Sequence, residues 1–154
     1  MRKWIVVVVL SICVMALASE SYKSPESGAW EQRNLYLQAT SNRPDAVGVI
    51  LCACNSTAKQ HRCQLYAANL PERGRFSVWL TKVDNDQFVT RQRVDPPWEA
   101  LRSSAEGVLT LKGNLEWCPG YQDRFLVVHH PDGESGPGNS VLEGTILIEK
   151  GGPK

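Results

Sequence analysis

The chain has 154 residues, 42% of them hydrophobic and 21% charged, with a formal net charge of +1. That is enough apolar material for one ordinary core, and no charge excess that would recruit nucleic acid or acidic lipid. The Lys and Arg residues are scattered rather than clustered, so the sequence predicts no basic docking patch.

Residues 1–18 read as a signal peptide. Arg2 and Lys3 form a short basic start, and an apolar run from Trp4 to Leu17 is broken only by Ser11 and Cys13. Ala16-Leu17-Ala18 supplies small residues at −3 and −1, with Ser19 as the new N-terminus. The run is shorter than the roughly 20 residues of a spanning helix; a retained membrane anchor is the alternative. Cys13 is no lipoprotein site, because Ile12 precedes it where a small residue is needed. No second long apolar run follows, so a cleaved chain is expected to be secreted or periplasmic and free of the membrane. Cleavage takes 17 Lys and Arg to 15 against 16 Asp and Glu, a charge of −1.

Residues 19–33 are polar, contain Pro25 and Gly28, and are expected to form a flexible leader. From Asn34 the chain reads as short strands between turn clusters: 34–40, 47–54, 62–68, 75–83, 87–94, 107–112, 124–130 and 140–149. In 75–83, Phe76, Val78 and Leu80 alternate with Ser77, Trp79 and Thr81. Asp84-Asn85-Asp86 predicts a hairpin turn rather than a calcium loop, which needs a longer run of oxygen ligands. Pro96-Pro97-Trp98 ends a strand, and a short helical turn is expected over 98–104. The region 131–139 is a Gly-rich loop, and 151–154 is a tail. Seven to eight strands with turn signals at this spacing predict an all-β antiparallel sandwich over 34–150.

Cys52, Cys54, Cys63 and Cys118 survive signal cleavage, an even number in an exported chain, and are expected to form two disulfides. If Cys54 faces Cys63 across a hairpin of 47–54 and 62–68, both lie on one face with Cys52 and Leu65. This predicts a Cys54–Cys63 bond near the tip. Cys52 cannot easily reach Cys54 along one extended strand, which leaves Cys52 for Cys118. A copper or zinc site of Cys52, Cys54, His61 and Cys63 is the alternative use of the same residues. The primary reading calls for no cofactor.

Trp79, His129 and His130 are the other candidate site residues. Trp79 stands on the polar face of its strand and is the best single exposed-aromatic candidate, although a second layer or a loop over it is the stronger expectation, because large aromatics usually bury most of their area. Adjacent histidines on a strand point to opposite faces, so His129 and His130 cannot chelate one metal together. Asn55-Ser56-Thr57 is a formal glycosylation acceptor at an expected exposed tip. No nucleophile elbow, metalloprotease helix or phosphate loop stands out. The expectation is a non-catalytic module that binds an extracytoplasmic protein or other ligand through Trp79 and the loops 55–60 and 131–139.

Three segments carry a family resemblance. Ala68-Asn69-Leu70-Pro71 precedes Phe76-Ser77-Val78-Trp79-Leu80; Glu106-Gly107-Val108-Leu109 begins a Gly-led strand; and Phe125 to Pro137 is followed by Val141-Leu142-Glu143-Gly144. Together they resemble the extracytoplasmic C-terminal β-sandwich of anti-sigma-K-type factors. The resemblance covers roughly half the chain, without the sigma-binding domain, and the four cysteines are additional to the pattern. It implies a β-sandwich in a bacterial, extracytoplasmic setting, with the role of an outer sensing module.

Overall fold

A computed structural model describes residues 30–85, 87–95, 100–133 and 138–147. The signal segment 1–18, residues 96–99 with Trp98, and the tail 151–154 lie outside them. The described residues form nine antiparallel strands and no helix: β1 (Glu31–Ala39), β2 (Val47–Asn55), β3 (Gln60–Ala68), β4 (Arg75–Asp84), β5 (Gln87–Arg93), β6 (Leu101–Arg102), β7 (Leu109–Asn114), β8 (Arg124–His129) and β9 (Asn139–Thr145). The expected all-β antiparallel fold is what the chain adopts.

One hydrogen-bonded path runs β5-β4-β8-β9-β1-β2-β3-β7, with β6 on β4. The sheet curls so that both halves bury their inner faces in a single core. Ile50, Leu65 and Leu109 come from the β2-β3-β7 side, and Phe76, Val78, Leu80, Phe125, Val127 and Leu142 from the other, all at most 1% exposed. Period-2 alternation explains that inner set, because one face of each strand must leave water. Strand β1 belongs to both halves. Its Glu31–Leu37 part pairs with β2, and Gln38 and Ala39 pair with β9.

The two ends of the path meet without a ladder. The Gln92 side-chain amide donates to the Asn114 carbonyl (3.1 Å) and accepts from the Glu116 N–H (2.8 Å). Edge strands β5 and β7 are thereby closed against each other by a side chain rather than left as open templates.

Two expectations need correction here. Strand β1 begins at Glu31, inside the stretch expected to be leader, because Glu31 already pairs with Cys54. In place of a helical turn, Leu101 and Arg102 pair with Phe76 and Arg75 as β6. The polar face of β4 carries the cover weighed for the Trp79 face: Ser77 is 2% and Thr81 4% exposed. The hairpin at Asp84 forms as expected, with Asp84 opposite Gln87 and Asn85 in the left-handed region (φ 49°).

Candidate functional site

The hairpin of β2 and β3 gathers the soft side chains. Its register sets Cys52 opposite Cys63 and Cys54 opposite His61. The expected pairing of Cys54 with Cys63 is therefore off by one pleat, two residues, although the shared face is right. The reason lies in the tip. Asn55 pairs with Gln60, the Asn55 Oδ1 accepts the Ala58 N–H at 2.9 Å, and Lys59 takes a positive φ of 51°, closing a tighter turn than expected. Asn55 is 0% exposed, so the expected exposed glycosylation acceptor is instead a buried turn residue.

Cys54 is bonded to Cys118, with a Cα–Cα distance of 5.6 Å, and Cys52 and Cys63 are free buried thiols. The pairs Cys54–Cys63 and Cys52–Cys118 are thus replaced. Cys118 follows β7 and arrives at the tip end of the hairpin, where Cys54 stands. It is held there by its neighbours. Arg33 donates to the Pro119 carbonyl, and Trp117 Nε1 (3.2 Å) and the Gly120 N–H (2.8 Å) donate to the buried Asp123 carboxylate.

Cys52 and Cys63 face each other at close range for a reason set one strand away. The His61 carbonyl accepts the Leu115 N–H, toward β7. Alternation turns the backbone groups of Cys63 the same way, so Cys52–Cys63 is a non-hydrogen-bonded pair, the narrow kind with Cα atoms roughly 4.5 Å apart. Burial pushes both thiols up. Cys63 reaches about 12, partly opposed by a bond from the Gly113 backbone. Cys52 is raised by burial and then by Cys63, against the pull of Arg33.

Among the described residues, the sulfurs of Cys54 and Cys118 and a ring nitrogen of His61 lie within 4.8 Å of one another. The His61 Nδ1 is buried without a hydrogen-bond partner. The alternative four-ligand set of Cys52, Cys54, His61 and Cys63 is not assembled at one point, because Cys52 and Cys63 sit one pleat deeper, roughly 7 Å along the strands. Cys118 takes their place in the cluster.

The remaining candidates are already engaged. Trp79 Nε1 donates to Ser77 Oγ (2.8 Å), and the Arg91 guanidinium lies 5.0 Å from its ring centroid, leaving Trp79 half-buried. Ser77 Oγ and His130 Nε2 share a 2.8 Å hydrogen bond. His129 points the other way, its ring 5.1 Å from that of Phe76. The two histidines thus occupy different surroundings, as alternation requires.

Sequence reasoning missed a cleft of about 900 Å³ between the Glu31–Tyr36 part of β1 and the end of β9. Leu35 and Cys52 reach its inner wall, while Tyr36 (81% exposed) and Leu147 (74%) stand at its mouth. The signal for it is the ladder count, which only the paired sheet reveals. Comparison with protein-family models, curated proteins and solved structures finds no match for this chain.

Proposed function

We propose that the protein is exported and works outside the cytosol as a non-catalytic binding or sensing module. In this reading it is analogous to the outer sandwich of anti-sigma-K-type factors, with an extracytoplasmic protein or other ligand as its partner. The Cys54–Cys118 bond carries the reading, because disulfides persist in oxidising compartments and are rare in the cytosol. The tying-up of His130 by the buried Ser77 hydroxyl, and of His129 against Phe76, supports a structural role for both histidines. Fractionation of the native host with intact-mass analysis tests it. The expected result is a chain starting at Ser19, outside the cytosol, two hydrogens lighter than its reduced form. A full-length, reduced, cytosolic chain would overturn it.

A second reading rests on the Cys54, His61 and Cys118 cluster. Reduction of the disulfide by a dithiol, which adds two electrons and two protons, frees two thiols. Their deprotonation gives two thiolates beside an imidazole, a donor set for copper(I) or zinc. One equivalent of metal retained after reduction, and lost in His61→Ala, supports this use; no retention excludes it.

A further inference from the structure

We propose that the cleft between β1 and β9 is a strand-acceptor site, which takes an extended peptide segment of another protein and bonds its backbone on both edges. This deepens the reading of the chain as a binding module by naming the chemistry of the partner.

The backbone groups of β1 and β9 point into the gap between them. The Thr40 N–H donates to the Val141 carbonyl, and Gln38 pairs with Glu143, so these β1 residues turn their polar backbone groups toward β9. Stepping back by two, the N–H and C=O groups of Tyr36, Asn34 and Gln32 point the same way. Their rungs toward β9 are never made, because the ladder between the strands stops at Gln38. On the facing strand, Ile146 donates to the Asp123 carbonyl and accepts the Gln122 N–H, on the side away from β1. Its neighbours Thr145 and Leu147 therefore turn their groups into the cleft. Two rows of backbone donors and acceptors face each other across the gap, with no ladder partner among the described residues.

The divergence has a cause. Toward its N-terminal end β1 is committed to β2 through Glu31↔Cys54, while β9 stays with β8 through Arg124↔Thr145. Leu35 and Leu37 wedge against Gly144 at the crotch, where a Cβ would lie 2.9 and 2.8 Å from their Cδ2 atoms.

The occupant follows from the lining. What satisfies two facing rows of peptide groups is another extended backbone, with strands stacking roughly 4.8 Å apart on each side. The rim carries Glu31 and Glu143 beside Arg33 and Arg124, charges of both signs that suit a near-neutral peptide better than a polyanion. Tyr36 and Leu147 at the mouth offer apolar contact to its side chains. The outer edges of the sheet differ. There Gln92 bridges β5 to β7, whereas inside the sheet an equally reactive pair of edges is left open.

The test uses the full mature chain. In the free monomer, hydrogen exchange is expected to be fast at the amides of Gln32, Asn34, Tyr36, Thr145 and Leu147, and slow at Leu35 and Leu37. Peptides selected from a displayed random heptapeptide library are expected to slow those five amides on binding. Tyr36→Pro and Thr145→Pro each delete one N–H aimed into the cleft and spare the β2 and β8 ladders. Each is expected to weaken the selected peptides at least about tenfold while leaving the melting temperature of the free protein within a few degrees. Protection of the five amides in the free monomer would overturn the proposal without any variant. So would selected peptides that bind both proline variants as well as wild type, or self-association that protects the same amides and assigns the cleft to a second copy. Export is read by fractionation, so failure there and failure here are separate results.

Discussion

At the scale of single residues, burial decides reactivity. Cys52 and Cys63 are both 3% exposed, and burial holds their thiols well above the usual range, so little thiolate exists at neutral pH. Both are expected to resist maleimide in the folded protein and to react promptly in concentrated guanidinium, with labelling read by mass. His129 shows the converse for a base. Burial first, then His130 and Arg43, lowers its pKa from 6.5. Below that value the unfolded chain binds more protons than the folded one, so His129 adds stability above about 6.5 that is lost as pH falls through the folded value. Melting temperature is expected to drop on acidification from neutral pH, and less so in His129→Gln. Asp123 is buried and fully engaged. Its carboxylate accepts from Val83 N–H, Trp117 Nε1 and Gly120 N–H. Asp123→Ala would leave three donors unpaired, at a cost on the order of 3 kcal/mol in denaturant unfolding.

At the scale of elements, the connections set the geometry that the strands cannot set alone. Gly107 takes a φ of +72° ahead of β7, and a Cβ there would land on the Leu70 carbonyl oxygen. Its own carbonyl accepts the Leu70 N–H at 3.0 Å. Gly107→Ala is expected to cost on the order of 2 kcal/mol or more, since strain adds to a backbone clash. The β2–β3 hairpin shows what patterning can and cannot say. Alternation places Cys52, Cys54 and Cys63 on one face in either register, so that feature was legible. The offset depends on the Asn55 turn, a side-chain-to-backbone bond that alternation does not encode. The two-residue slip changed which cysteine met Cys118. Pro96-Pro97-Trp98 likewise signalled a strand end, yet the short β6 nearby exists because the β4 edge offers Arg75 and Phe76 as partners.

At the scale of the whole molecule, the Cys54–Cys118 bond ties the end of β2 to the connection between β7 and β8 across a sequence separation of 64. Closing a loop of that length removes roughly 4 kcal/mol of unfolded-state entropy in the chain model. Cys118→Ser is therefore expected to lower the melting temperature by on the order of 15 °C, measured against wild type under non-reducing conditions. Local hydrophobic period and turn chemistry, carried by neighbours in the chain, determined the all-β class, the positions of eight strands and the shared face of the cysteines. Only the tertiary structure decided the disulfide partner, the cover over Ser77 and Thr81, and the cleft between β1 and β9. Each of those depends on which strands meet after the sheet curls, a long-range choice made by burying one common core that no local window contains.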